Sequence, residues 1–161
     1  MTRGARIAFA VVVAAMVAVP LGIIGWNEWK LASGEVVILR VEPVDPLDPF
    51  RGEYVALSYP IGRLPTGGLE PGETVYVPLR KRGDHWSGEA ATATRPDGDV
   101  TFIRGRVRRS GSIEYGIETF YVEEGQARRY EEAMFDRRLD AKVVLDDDGK
   151  ARLDELVVRP E

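Results

Sequence analysis

Residues 7–26 form an almost unbroken apolar run, and beyond them the pattern changes to short stretches with apolar residues at every second position, separated by Gly, Pro and Asp clusters. The first pattern predicts a helix: at about 1.5 Å rise per residue it is long enough to cross a hydrocarbon layer of roughly 30 Å. The second predicts strands, whose side chains alternate between two faces. Strands are expected over 35–41, 53–59, 74–79, 86–94, 100–107, 113–122, 141–145 and 151–158. The last two are joined by Asp146-Asp147-Asp148-Gly149-Lys150, where Asp-Gly favours a tight hairpin. One segment keeps helical spacing, with Ala127, Tyr130 and Met134 at i, i+3 and i+7 and Glu124 four residues before Arg128. It predicts a short amphipathic helix over a sheet. Pro65, Gly67, Gly68, Pro71 and Gly72 mark 60–72 as a surface loop or lid. The expected fold is mainly β, a small antiparallel sandwich or partly open barrel with one short covering helix, preceded by one transmembrane helix.

The flanks of the apolar run set its orientation. Arg3 and Arg6 precede it and Trp26 and Trp29 follow it, so the basic end is expected in the cytoplasm and the indoles at the opposite interface. Pro20 is no obstacle, because breakers are tolerated in membrane helices. The expected organisation is a cytoplasmic basic tail (1–6), a transmembrane signal anchor (7–26), a juxtamembrane linker (27–33) and an extracytoplasmic β domain (34–161). A cleaved signal peptide is the competing reading, but the apolar region is long for one and Leu31-Ala32-Ser33 is a poor cleavage site.

Composition narrows the chemistry. The segment 1–33 holds three basic residues and one acidic; taking these from 22 and 26 leaves 19 basic and 25 acidic residues, a net charge of −6 for the domain. That argues against nucleic acid as a partner. The absence of cysteine excludes disulfides, thiolate metal sites, cysteine nucleophiles and a lipoprotein anchor. The single histidine, His85, lies between Asp84 and Trp86 and reads as a solvated residue at a strand start, since a triad or zinc site needs further partners. No metal and no cofactor is called for.

The densest cluster of ordered features is Asp45-Pro46-Leu47-Asp48-Pro49-Phe50-Arg51-Gly52-Glu53-Tyr54-Val55-Ala56-Leu57-Ser58-Tyr59. The two Asp-Pro steps bias the chain to extended or turn conformations and restrict Arg51. Alternation then places Tyr54, Ala56 and Ser58 on one face of a strand and Val55, Leu57 and Tyr59 on the other. Both faces carry apolar groups, which predicts a central strand between packed layers. Three roles are open for this corner. Arg51 pairs with Asp45, Asp48 or Glu53 and pins a structural turn; or Arg51 recognises an anionic group or partner chain beside a tyrosine wall; or Asp45, Asp48 and Glu53 hold a hard cation, at a spacing that matches no EF-hand.

The run 51–59 resembles the signature of the GDYXXLXY family of bacterial membrane-anchored proteins of unknown function, preceded by that family's Asp-Pro-x-Asp-Pro-Phe lead-in. Tyr115-Gly116-Ile117-Glu118, followed by 120–125, is similar to the family's later tyrosine-glycine and glutamate-glycine block. Glu53 stands where the family has aspartate, one methylene shorter. The resemblance implies a single-pass envelope protein of the bacterial cytoplasmic membrane, held in the bilayer by 7–26 and acting beside a multi-spanning membrane protein. It gives, as binding residues, Asp45, Asp48, Arg51, Gly52, Glu53, Tyr54, Leu57, Tyr59, Tyr115 and Glu118. The corresponding function is a non-enzymatic interaction or accessory module for another membrane protein or a small ligand.

An enzyme is the alternative. A membrane helix followed by an external β domain resembles signal peptidases, as loosely do 51–55, 71–75 and 102–107. That chemistry requires a serine after the anchor and a neutral lysine as its base. Ser33 is the only serine between the anchor and Gly52, and Arg104 stands where a strand lysine is sought. Ser58 and Lys81 remain as an unlinked pair, and a purely structural domain is the third reading.

Overall fold

The computed structural model describes residues 3–32, 34–43, 54–123 and 125–160. The chain divides into two units, Met1–Gly34 and Glu35–Glu161.

The first unit is a helix, α1 (Arg3–Ala32), which carries Pro20 in its interior. Its described side chains over 11–26 are exposed and apolar on every side, so no stripe distinguishes an inner from an outer face. Among the described residues no helix is long and apolar enough to cross a membrane. The span over 7–26 therefore stays an expectation of the sequence.

The second unit is mainly β. Its strands are β1 (Glu35–Arg40), β2 (Tyr54–Ala56), β3 (Thr74–Arg82), β4 (His85–Gly88), β5 (Phe102–Val107), β6 (Ile113–Glu114), β7 (Thr119–Tyr121), β8 (Leu139–Leu145) and β9 (Ala151–Val158), with one helix, α2 (Ala127–Phe135), between β7 and β8. All pairings between these strands are antiparallel. They form three groups, β1-β8-β9, β2-β7 and β4-β3-β5-β6. Together these curl into a half-barrel rather than a two-layer sandwich. β1 and β4 are edge strands of different groups and run close to one another without a hydrogen-bonded ladder between them. This contact is a seam between the two groups.

Period-two patterning builds the interior. Val37, Leu39 and Val41 point inward from β1 and its extension, Val75, Val77 and Leu79 from β3, and all six are buried. Burying each such side chain stabilises the fold by about 1.5–3 kcal/mol. β8 is buried at six of its seven positions because it lies between β1 and β9 and is also approached by α2. The helix turns Ala133 and Met134 inward, as its spacing predicts, with Ala127 and Tyr130 packed against the core. Arg128 bonds Glu132 one turn on, and Glu124, the partner expected from the sequence, lies outside the described residues.

Two expectations change and two gain detail. The single strand over 113–122 is two strands, because Gly116 takes φ +81° and turns the chain from β5's edge to β2's. β2 is no central strand: among the described residues it pairs only with β7, its continuation is bridged at Ser58 to Glu42, and while Val55, Leu57 and Tyr59 are buried, Ala56 is exposed and Tyr54 half-exposed. Residues 60–72 are a surface loop, as expected, but a partly anchored one: Pro60–Arg63 forms a 3-10 turn that buries Ile61, and Leu64 and Leu69 pack against the core. The hairpin between β8 and β9 is present over 146–150 as expected: Asp146 Oδ1 accepts from the N–H groups of Asp148 and Lys150, and Gly149 closes the loop at φ +72°.

Candidate functional site

The described part of the sequence motif lies where β2 and its extension run antiparallel to 115–121. Backbone pairing sets the register, with Tyr54 opposite Tyr121 and Ala56 opposite Thr119. It continues past β2 through the Leu57 N–H, which donates to the Glu118 carbonyl at 2.9 Å. Two buried tyrosines then lock the segments together. The Tyr59 hydroxyl donates to the Ile117 carbonyl (2.8 Å), and the Tyr115 hydroxyl donates to the Ile61 carbonyl (2.7 Å). Each crosses to the other's strand, so neither segment can slide without breaking both bonds. Burial, with the Glu118 charge adding to it, pushes both phenols well above the usual tyrosine range. They are neutral donors.

Glu118 caps the turn between them. Its carboxylate accepts from the Tyr115 N–H at 2.6 Å and from the Gly116 N–H at 2.9 Å, charge-assisted bonds that satisfy two donors at the strand break. Tyr115 also fits against Gly105: a Cβ there would come within 2.5 Å of Ile113 Cγ2, 2.8 Å of the Glu114 carbonyl oxygen and 2.9 Å of the Tyr115 ring. The sequence-derived set thus divides. Leu57, Tyr59, Tyr115 and Glu118 meet in one latch, Tyr54 lies on the opposite face against the exposed Tyr121 with ring centroids 6.3 Å apart, and Asp45, Asp48, Arg51, Gly52 and Glu53 lie outside the described residues.

A cavity of about 300 Å³ adjoins the latch in the β1–β4 seam. Leu39, Tyr59, Ile61, Leu64 and Trp86 give it apolar walls, and Arg40, Arg82 and His85 stand among its polar groups. Its size falls at the lower end of small-molecule sites, which are likewise mostly apolar with a few polar groups. Gly88 lines it because a Cβ there would lie 2.3 Å from Val77 Cγ1.

His85 opens β4 as expected but is not solvated. Its Nε2 lies 2.9 Å from Asp140 Oδ2, and the two side chains are 17% and 5% exposed. The attraction of a buried carboxylate outweighs solvation of the ring at this spot. The same oxygen lies 3.0 Å from Arg159 Nε, although that N–H does not point along the contact. Ser87, two residues along β4, carries a buried hydroxyl without a partner. A triad needs the serine hydroxyl bonded to the histidine, and Ser87 has no such bond, so Ser87, His85 and Asp140 are not arranged as a nucleophilic triad. Ser58, half-buried beside β2, and Lys81, exposed on β3, share no hydrogen bond either. Among the described residues no group of acidic and histidine side chains has the arrangement of a metal site.

Sequence reasoning missed Asp140 and the arginines around it. A second cleft, of about 600 Å³, is lined by Arg40, Arg63, Arg137 and Arg159 together with Glu42. Arg63 is ion-paired with Glu42, and Arg159 donates to the Arg137 carbonyl. The available signal was Asp140 itself, a carboxylate inside the strand-forming stretch 139–145, since buried carboxylates are rare unless paired.

These features define a mainly antiparallel β module with a tyrosine latch, an apolar cavity in a seam and an arginine-lined cleft. The chain belongs to the GDYXXLXY protein family, whose model matches residues 16–156. No curated protein and no solved structure matches it.

Proposed function

We propose that the protein is a single-pass accessory module of the bacterial envelope, anchored by 7–26, whose external β domain captures a small ligand in the cavity between β1 and β4. The carrying observation is the cavity's wall: Tyr59, a residue of the family signature, lines the cavity and has its hydroxyl fixed on Ile117. A wall held by a long-range bond is preorganised, and preorganisation lowers the cost of binding. The anchor rests on the length of the apolar run and on Arg3 and Arg6 before it.

The test uses the full chain in phosphatidylcholine nanodiscs with an alkyl diazirine photoprobe, reading labelled peptides by mass spectrometry. Labelling of β1 and β4 peptides, lost in a Leu64→Trp variant that fills the cavity, supports the reading. Labelling confined to α1 overturns it.

A second reading, docking on a multi-spanning membrane protein, is favoured by Tyr121, 81% exposed and braced against Tyr54. Aromatic side chains of this kind anchor protein interfaces. Tyr121→Ser with unchanged thermal stability and loss of one co-purifying membrane protein is the expected result; unchanged co-purification refutes it.

A further inference from the structure

The apolar cavity and the arginine cleft are neighbours with shared walls. Arg40, on the edge strand β1, lines both, and the Pro60–Arg63 turn contributes Pro60 and Ile61 to the cavity and Arg63 to the cleft. One side of the seam is therefore greasy and the adjoining side cationic. The charge is local: the domain carries a net −6 by sequence, yet the cleft gathers four guanidiniums against the carboxylates of Glu42 and of Asp140, which contacts Arg159. Among the described residues two positive charges are left in excess. Arg63 and Arg159 are held by those carboxylates, whereas the Arg40 and Arg137 side chains have no partner among the described residues.

Arg137 adds an independent sign. It is the one described non-glycine residue at positive φ, +57°, in the left-handed position that ends α2, where its N–H donates to the Met134 carbonyl. Glycine is the ordinary residue at such a helix end, and a side chain there costs roughly 1–2 kcal/mol. The chain accepts this strain and gains a guanidinium on the cleft. Strain at a binding surface is a recurrent mark of function.

We infer that the ligand is an amphiphile, a single alkyl chain ending in an anionic oxyacid head, with the chain in the Leu39–Trp86 cavity and the carboxylate or phosphate head on Arg40 and Arg137. This deepens the small-ligand reading and rests on it. Guanidinium groups suit either head, because their planar donor fork matches both geometries. A neutral polar head has no comparable partner in the cleft, and a cationic head meets repulsion.

The experiment compares dodecyl diazirine probes that differ only in the head, namely carboxylate, phosphate, alcohol and trimethylammonium, on the full chain in phosphatidylcholine nanodiscs. The anionic probes are expected to label peptides covering 35–43 and 85–88 at least tenfold more than the alcohol. Arg40→Gln, an exposed edge position, is expected to bring them to the alcohol level with the thermal midpoint unchanged. Lysophosphatidic acid placed in the nanodisc competes with the probes if the natural head comes from the bilayer; dodecyl phosphate added from water competes while lysophosphatidic acid does not if the source is free. Equal labelling by alcohol and anionic probes, or a preference that survives Arg40→Gln, overturns the inference and leaves the cavity reading standing. No labelling of these peptides by any probe overturns both.

Discussion

Tyr59 and Tyr115 are reciprocal: each sends its hydroxyl across to a carbonyl two residues beyond the other, Tyr59 to Ile117 and Tyr115 to Ile61. The family signature and the later Tyr-Gly block, far apart in sequence, are thus two halves of one fastening. It fixes the face of Tyr59 that the cavity uses and the turn that carries Ile61 into the same wall.

Removing either hydroxyl leaves a buried carbonyl without its partner, which costs about 1–3 kcal/mol. Tyr59→Phe and Tyr115→Phe are each expected to lower the free energy of unfolding by that amount in urea titrations. Because both bonds fasten the same two segments, the double variant should lose less than the two single losses added, a coupling of at least 0.5 kcal/mol in the double-mutant cycle. Strict additivity would mean that the two bonds act as separate contacts.

The same pair makes the fold sensitive to base. Both phenols are raised in the folded state by burial, while in the unfolded chain they titrate near 10. Above that pH the unfolded state binds fewer protons than the folded one, so stability is fully present below about pH 10 and falls as pH rises further, by about 1.4 kcal/mol per unit for each phenol. Thermal midpoints measured from pH 9 to 11.5 should drop steeply in the native sequence and less steeply in Tyr59→Phe. Parallel curves would assign the alkaline loss to other groups.

How far the sequence reaches is visible in particular residues. Strand 151–158 and the face shared by Val55, Leu57 and Tyr59 are legible because alternation is a local property, and so is α2 from its i, i+3, i+7 spacing. The break at Gly116 is less so, since the turn its φ of +81° makes is held by the Glu118 carboxylate reaching back to two N–H groups. The exposure of β2's second face is not legible, since only the neighbours absent from it decide it. His85 finds Asp140 at a separation of 55 residues. The cleft is less legible still, because arginines from β1, the 3-10 turn, the end of α2 and the segment after β9 converge only when the half-barrel curls.

Gly105 is fixed by contact rather than by dihedral angle. Its missing Cβ would stand 2.5 Å from Ile113 Cγ2 and 2.8 Å from the Glu114 backbone oxygen, and the backbone atom cannot swing aside as a flexible side chain does. Gly105→Ala is therefore expected to destabilise by about 1–3 kcal/mol through overpacking and to disturb the ring of Tyr115. Near-ultraviolet circular dichroism, which reads tyrosine packing, should change with it; a variant with native stability and spectrum would contradict the packing argument.

Arg137 sets stability against binding at one position. Glycine enters the left-handed region without steric cost, so Arg137→Gly is expected to stabilise the fold by roughly 1 kcal/mol through relief of strain at the end of α2. The substitution removes no described side-chain ion pair, and the carbonyl that accepts from Arg159 remains in the backbone. A purely structural arginine would make the change beneficial by every measure. If its guanidinium serves the cleft, unfolding titrations should show the gain while labelling by the carboxylate probe falls severalfold and labelling by the alcohol probe does not move. Arg137→Lys should then retain the strain and recover part of the labelling, because it restores the charge without the planar fork.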